Sequence, residues 1–181
     1  MDVSKEILEA VKAKILAIPD FPKEGILFRD VMPLFTDMEL VMRLCKDIAD
    51  ELKKNHENIE AIAGLEARGF LFGPLIAYHL NVQFIPVRKK GKLPGELITK
   101  EYQLEYGSDT IEIQKSTVSK GMRVVLFDDL LATGGTLGAA LALLKAAEAE
   151  VVASIVIIEL DALNGRSQLP KDAKLYSLIH Y

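Results

Sequence analysis

Two adjacent carboxylates, Asp128 and Asp129, stand shortly before a Thr-Gly-Gly-Thr turn at residues 133–136. Glycines let a backbone turn with its N–H groups pointing into one concavity, and the N-terminus of a following helix adds partial positive charge. These groups and the threonine hydroxyls suit a phosphate monoester. Ionised carboxylates only accept hydrogen bonds, so the two acids suit the hydroxyl donors of a ribose diol. The segment therefore predicts a site for a ribose 5-phosphate.

Three other interpretations of this segment are an ATP-binding P-loop, a dinucleotide-binding fingerprint and an ordinary loop. The P-loop pattern requires a lysine directly after its last glycine, and none follows these glycines. The dinucleotide fingerprint would need glycine at the position of Thr133. An ordinary loop, with solvated acids and Thr136 as a helix cap, stays open on the residues alone.

Two further loops carry the basic residues that a second anion would need. Gly64–Phe70 joins a predicted strand to a predicted helix and contains Arg68, whose planar guanidinium matches phosphate oxygens. Arg88–Gly95 follows another strand and is basic, with glycine and proline shaping it. The alternatives are a surface pair between Arg68 and Glu66 in the first loop, and a solvated charge run in the second.

A β-hairpin is predicted between these loops and the acid pair. Tyr102–Tyr106 and Thr110–Gln114 have alternating patterns and are divided by a Gly-Ser pair. An acid near the turn, Glu105, would reach a reacting group only if the hairpin closed as a lid. On the pattern alone, a simple solvent-exposed hairpin is favoured.

The remaining pattern places these loops on a sheet. Amphipathic helices are predicted over Ser4–Ile18 and from a cap at Asp37 to about Lys54, joined by the irregular segment Asp20–Phe35. Apolar strands then alternate with helices. The strands are Ile59–Leu65, Gln83–Val87, Arg123–Phe127, Val151–Ile158 and Leu175–Ile179, and the helices are Phe70–His79 and Leu137–Ala149. This alternation predicts an α/β fold with a central, mostly parallel sheet flanked by helices, and ligands bind beyond the carboxyl ends of such strands.

Composition narrows the class of protein. The 181 residues suit one domain, and the net charge of −4 argues against a general nucleic-acid binder. No apolar run approaches the ~20 residues that span a bilayer, and the N-terminus has no apolar signal core. Cys45 is the single cysteine, so no intrachain disulfide is possible and a cytosolic protein is expected.

The run Val124–Thr136 resembles the phosphoribosyl pyrophosphate signature of the type I phosphoribosyltransferases, and its form is similar to that of the members that use adenine. The resemblance extends from Phe21 to Gly165. It implies a single domain over residues 1–181, with an N-terminal helix and hood in residues 1–36 and a flexible lid in residues 97–116. The implied reaction converts adenine and 5-phosphoribosyl 1-pyrophosphate into AMP and pyrophosphate with Mg²⁺, and the family is commonly homodimeric.

The resemblance also assigns roles to the residues that match the family's donor site. The ribose diol meets Asp128 and Asp129. The 5′-phosphate binds at Ala132, Thr133, Gly134, Gly135 and Thr136. The pyrophosphate binds at Glu66, Ala67, Arg68, Arg88, Lys89 and Lys92. A cis peptide bond is implied between the first two residues of the pyrophosphate set, and no protein ligand of Mg²⁺ is assigned.

The base site and the proton transfer are assigned in the same way. Apolar side chains and backbone groups of the hood hold the purine at Leu27, Phe28 and Arg29, with Leu130 on the other side of the ring. Glu105 matches the family's general acid or base, and Tyr106 matches a mobile tyrosine. Two alternatives remain: the same chemistry on hypoxanthine, guanine or orotate, or a regulator that binds the donor without catalysis. A regulator would be expected to lack the lid or the pyrophosphate loop, or to add a DNA-binding segment.

Overall fold

The computed structural model, which describes residues 1–103 and 108–181, contains two sheets. A small antiparallel sheet near the N-terminus pairs β1 (Leu16–Pro19) with β2 (Leu27–Asp30). Seven strands form the central sheet: β3 (Ala61–Leu65), β4 (Gln83–Lys89), β5 (Leu97–Gln103), β6 (Ser108–Gln114), β7 (Arg123–Leu131), β8 (Glu150–Glu159) and β9 (Leu175–His180).

The strand order in the central sheet is β5-β6-β4-β3-β7-β8-β9. Strands β4, β3, β7, β8 and β9 run parallel, and the β5–β6 hairpin extends the sheet antiparallel to β4. The predicted α/β class with a mostly parallel sheet is confirmed. Because the parallel strands end at one edge, the loops after β3, β4 and β7 meet there.

In the described part of the chain, four α-helices cover the sheet: α1 (Lys5–Lys14), α2 (Met38–Asn55), α3 (Gly69–Leu80) and α4 (Gly135–Ala146). Alternate residues of β7 divide between two buried clusters, as the two-residue period of a strand requires. Val125 and Phe127 join the cluster that contains side chains of α1, α2 and α3, while Val124 and Leu126 join the cluster that contains α4. Both faces of the parallel sheet are therefore buried.

Asp37 caps α2 as predicted, because its carboxylate accepts a hydrogen bond from the Leu40 N–H at 3.1 Å. Cys45, on the inner face of this helix, is fully buried, and burial raises the pKa of its thiol to about 12. Among the helices that the structure describes, none combines the length and the apolar character needed to cross a membrane.

Three boundaries differ from the sequence predictions by four residues or more. Helix α1 ends at Lys14 instead of Ile18, because residues 16–19 pair with residues 27–30 inside the segment predicted to be irregular. Strand β7 does not end at Phe127, since it continues to Leu131 beside β8. The first hairpin strand begins at Leu97 instead of Tyr102.

Candidate active site

A cavity of about 500 Å³ lies at the edge where β3, β4 and β7 end. It is lined by the loop after β3, the end of β4, residues 128–137 and part of the β5–β6 hairpin. The cavity thus brings together the predicted donor-site loops. The predicted site residues in its lining are Glu66, Ala67, Arg68, Arg88, Lys89, Asp128, Asp129, Leu130, Ala132, Thr133, Gly134, Gly135 and Thr136.

The acid pair lies within β7, near its C-terminal end, and not in a loop after the strand. Asp129 is only 2% exposed, and its N–H donates to Asp128 Oδ1 at 2.9 Å. Arg68 Nε lies 2.7 Å from Asp129 Oδ2, so this buried oxygen contacts the arginine cation. A carboxylate has about four lone-pair positions, so it can accept a ligand hydroxyl in addition to the arginine.

Burial raises the pKa of both carboxyls. For Asp128 the neighbouring charge of Asp129 raises the pKa further, because two close carboxylates repel each other. For Asp129, Arg68 opposes the effect of burial on the pKa without cancelling it. The pair is therefore a site where negative charge is concentrated at an energetic cost.

The Thr-Gly-Gly-Thr turn connects β7 to α4. Gly134 caps the helix with a φ of +88°, and a Cβ there would lie 2.2 Å from the carbonyl oxygen of Gly165. Only glycine fits both the left-handed backbone and this close approach. The first N–H groups of α4 have no helical acceptor, and the cavity lining includes their residues, Gly135 and Thr136.

A second loop, which contains Gly165, packs against this turn. A Cβ on Gly165 would lie 2.2 Å from the Ala132 carbonyl oxygen, so the two loops are in backbone contact. The adjacent Arg166 donates through Nε to both carboxylate oxygens of buried Glu159, at 2.8 and 2.9 Å. Its Nη2 donates to Ser177 Oγ at 2.9 Å, and Ser177 donates in turn to Glu159. Burial opposes ionisation of Glu159, but Arg166 and Ser177 outweigh it and lower the pKa of this carboxyl.

Sequence reasoning missed the network of Glu159, Arg166 and Ser177. The available signal was the charged residue that ends the most apolar strand of the chain, followed by a Gly-Arg pair. A carboxylate at the end of a buried strand needs a cation, and the nearest arginine in the following loop supplies it.

The basic side of the cavity contains ion pairs. Arg88 binds Glu66 through Nη2 at 2.8 Å and Nε at 3.2 Å, and the Lys89 N–H donates to the same carboxylate at 3.1 Å. The hydrogen bond from Arg88 holds the pKa of Glu66 below its usual value. The pair that sequence reasoning considered, Arg68 with Glu66, does not form, since Arg68 binds Asp129. The peptide bond between Glu66 and Ala67 is cis, as expected from the resemblance.

The hairpin supplies two carboxylates that sequence reasoning did not single out. Asp109 Oδ2 lies 3.1 Å from Lys89 Nζ, and the Tyr102 hydroxyl lies 3.5 Å from the same oxygen. Glu112 is 2% exposed and accepts the backbone N–H groups of Lys92 and Leu93, each at 3.2 Å. Lys92 itself is outside the cavity lining, which differs from its expected place in the pyrophosphate site.

The hood contacts Arg68, a residue of the cavity lining, through an aromatic ring. Phe28 lies with its ring centroid 5.3 Å from Cζ of Arg68, and Phe21 packs edge-on against that ring at 5.1 Å. Leu27 is 49% exposed, and Arg29 stacks on Tyr181 at 3.8 Å, so neither side chain lines the cavity. Leu27, Phe28 and Arg29 all lie outside the cavity lining, so the base contact expected of the hood stays a prediction. The expected catalytic residues, Glu105 and Tyr106, lie outside the described residues.

Residues 35–180 match a protein family described as the phosphoribosyl transferase domain. The chain is 52% identical to an adenine phosphoribosyltransferase of Caenorhabditis elegans over 97% of this chain and 95% of the relative. It is 48% identical to one of Koribacter versatilis, over 96% of this chain and 93% of the relative. Among solved structures, that of the Saccharomyces cerevisiae adenine phosphoribosyltransferase with an imino-altritol bisphosphate and adenine is similar, with a TM-score of 0.93 and 42% identity over 97% of this chain and 100% of the other.

Proposed function

The chain belongs to the adenine phosphoribosyltransferase family, and from this premise we propose which residues carry each part of the reaction. The reaction transfers the phosphoribosyl group of 5-phosphoribosyl 1-pyrophosphate to adenine and gives AMP and pyrophosphate. One observation carries the assignment: a single cavity combines a buried acid pair, a glycine turn at a helix N-terminus and three basic side chains.

The sugar end of the donor is assigned to β7 and the turn after it. Asp128 and Asp129 accept the two ribose hydroxyls, and the place of both carboxylates in the cavity lining supports this role. The 5′-phosphate lies on the N–H groups of Ala132 to Thr136 and on the two threonine hydroxyls. Holding the sugar at both ends fixes C1′ in position, which removes much of the entropic cost of reaction.

The pyrophosphate end is assigned to Arg68, in the loop after β3, and to Arg88 and Lys89, at the end of β4. As the bond from C1′ to pyrophosphate breaks, positive charge develops on the sugar and negative charge on the leaving group. The acid pair lies near the first charge and the basic side chains near the second. Such prearranged charges stabilise a transition state without reorganisation.

A magnesium ion fits this cavity, because Asp128 and Asp129 offer carboxylate oxygens next to the donor site. Mg²⁺ keeps several waters and binds substrate phosphates, so it would be held mainly by donor oxygens and water. When bound, it would spread the negative charge of the pyrophosphate. Among the described residues, the compact group Glu159, Asp161 and His180 could offer three ligand atoms, but it lies outside the cavity and Arg166 already holds Glu159.

The purine is assigned to the space between the hood and Leu130. Phe28 supplies an aromatic face, and backbone groups of Leu27 and Arg29 read the edge of the base. The yeast relative bound adenine together with a sugar-like bisphosphate, which supports adjacent base and donor sites. Glu105 exchanges a proton with the purine nitrogen, an effect typically worth ~10²–10⁴-fold. Tyr106 follows Glu105 in the expected lid, and we assign both residues to a lid that would cover the reacting groups.

We extend the proposal to assembly and location. The family resemblance favours a homodimer, and the single buried cysteine favours a reducing compartment such as the cytosol.

Formation of the corresponding nucleotide from adenine, hypoxanthine, guanine and orotate in turn, followed by absorbance, tests the function. We expect nucleotide from adenine and far less from the other bases. If another base reacts as fast, the preference for adenine is wrong.

Two variants test the residue roles. Asp129→Asn should weaken donor binding measured by calorimetry, and unchanged affinity would contradict the diol role. Glu105→Gln should lower kcat more than donor affinity, and unchanged kcat would remove Glu105 from the mechanism.

A further inference from the structure

Each of the three basic side chains in the cavity lining is paired with a carboxylate. Arg68 contacts Asp129 at 2.7 Å, Arg88 contacts Glu66 at 2.8 Å, and Lys89 contacts Asp109 at 3.1 Å. The first two carboxylates belong to the strand ends and loops that form the donor site. Asp109 is different, because it comes from the hairpin and has no role in the proposed reaction.

The position of Asp109 is fixed by its own strand. Its Oδ1 accepts the N–H of Thr110 at 2.8 Å, which leaves Oδ2 directed at the lysine ammonium. It lies opposite Tyr102 in the β5–β6 register, and both side chains line the cavity. A carboxylate in this place is held next to the proposed pyrophosphate site by the hairpin backbone.

Lys89 is the pocket cation whose partner is easiest to exchange. Its side chain is 62% exposed, compared with 33% for Arg68 and 32% for Arg88. The hydrogen bond from Lys89 lowers the pKa of Asp109, and the same bond raises the pKa of the Lys89 ammonium. Both groups are therefore charged at neutral pH, and a polyphosphate that recruits Lys89 must displace a full negative charge.

We propose that Asp109 competes with pyrophosphate for Lys89 and thereby weakens the affinity of the site for pyrophosphate. The inference rests on the proposed function, because it assumes that pyrophosphate binds beside Lys89. Two effects have the same sign: the anion must break the Lys89–Asp109 pair, and the released carboxylate then repels the anion. When pyrophosphate leaves, Asp109 recaptures the lysine, so the contact favours release of the product.

The test uses the full chain with Mg²⁺ and inorganic pyrophosphate, titrated by calorimetry. Asp109→Asn removes the charge but keeps an Oδ1 acceptor for Thr110, so the hairpin contact is retained. We expect the Kd of pyrophosphate to fall about two- to fivefold, the range that the loss of one exposed ion pair allows. The gain should shrink as ionic strength rises, because exposed charges are screened.

Glu101→Gln is the matched control. Glu101 lies on the neighbouring hairpin strand and accepts from Ser108 Oγ at 2.5 Å, and no cation pairs with it in the described part of the chain. This variant removes one negative charge from the same hairpin without touching Lys89, so the pyrophosphate Kd should stay unchanged. In a Lys89→Met background, Asp109→Asn should lose most of its effect.

The outcomes separate the competition from simpler explanations. Unchanged or weaker pyrophosphate binding in Asp109→Asn overturns the proposal. An equal gain in Glu101→Gln also overturns it, because the effect would then be one of net charge. Formation of AMP by the unaltered chain is measured separately: its failure would refute the proposed function, whereas the ratio of pyrophosphate Kd values decides the role of Asp109.

Discussion

The two regions assigned to the donor's phosphates differ in the groups that would bind the anion. At residues 132–136 the anion would meet backbone N–H groups, and this turn is in backbone contact with Gly165. On the basic side it would meet long side chains, and each of Arg68, Arg88 and Lys89 already has a carboxylate partner. One region is fixed by the chain itself, and the other consists of ion pairs that can exchange.

This difference matches what happens to the two anions in the reaction. The 5′-phosphate stays on the sugar from donor to AMP, so a rigid backbone site can hold it throughout. Pyrophosphate is a leaving group and must depart in every forward turnover. Ion pairs that reform when it leaves lower the cost of that step, because no charge is left unpaired.

The strongest test of the rigid region is Gly134→Ala. The new Cβ would meet the Gly165 carbonyl at 2.2 Å in a backbone with a φ of +88°. Overpacking and left-handed strain together should lower the free energy of unfolding by roughly 3–5 kcal/mol, measured by urea denaturation. Gly135→Ala is the control, since a Cβ there meets nothing within 4 Å, and it should raise stability by about 0.5–1 kcal/mol. Equal stability of the two variants would refute the close approach.

Arg166→Ala tests the support behind the turn. It leaves the carboxylate of Glu159, whose side chain is 6% exposed, without its cation, and should cost about 2–3 kcal/mol at pH 7. The pKa of Glu159 is lowered in the fold, so this stabilisation is present above the ordinary pKa of 4.5 and is lost as the pH falls through the folded value. The difference from the parent chain should therefore shrink at acidic pH.

A matched arginine on the surface provides the comparison for that experiment. Arg43 pairs with Glu6 at 3.2 Å, but both side chains are well exposed. Arg43→Ala should change the free energy of unfolding by less than about 1 kcal/mol. A loss as large as that of Arg166→Ala would mean that burial of the Glu159 pair is not the cause.

Asp128→Asn should make the fold more stable while it weakens the enzyme. Burial raises the pKa of Asp128, so its ionised form opposes folding, and asparagine removes that cost. We expect a gain of about 1 kcal/mol at pH 8, with a loss of donor binding. Because the folded pKa is raised, the gain should vanish as the pH falls towards the ordinary value of 3.8. Thermal unfolding at several pH values measures the gain in stability. A gain that grows as the pH falls would contradict the direction assigned to the pKa shift of Asp128.

Arg88→Lys should have the smallest effect, and it should change anion binding only in the region formed by the ion-paired basic side chains. Lysine keeps the charge but loses the two-point contact with Glu66. We expect pyrophosphate affinity to fall about threefold, in the range of weak exposed pairs, while AMP affinity stays unchanged. Lys90→Met, an exposed neighbour outside the cavity lining, should change neither constant. A parallel loss of AMP affinity would contradict the separation of the two regions.

The features that the sequence predicted are local ones. The apolar runs of β3, β7 and β8 and the glycine turn at residues 133–136 are each recognisable within a few residues, so the sheet and the loops that line the cavity could be predicted. The alternation of strands and helices then fixed which loops meet, because parallel strands end at one edge. The cavity therefore follows from pattern and topology together.

The features that the sequence did not predict depend on distant partners. Strand β1 is apolar at every position yet exposed along its length, so no alternation of apolar and polar residues reveals its pairing with β2. The acid pair lies in β7 against the usual preference of strands, because pairing with β8 decides the boundary. The partner of Arg68 is Asp129, which is remote in sequence, and no spacing rule predicts such a contact.

The buried Cys45 gives the chain a built-in reporter. Its thiol is fully enclosed and its pKa of about 12 keeps it protonated, so a thiol-reactive reagent can modify it only when the helix that carries it opens. With a single cysteine in the chain, the modification rate measures one opening event without any engineered label. Substrates that bind and stabilise the folded structure should slow that rate. The modification rate of Cys45, compared with and without a ligand, would then measure how strongly the ligand suppresses local opening.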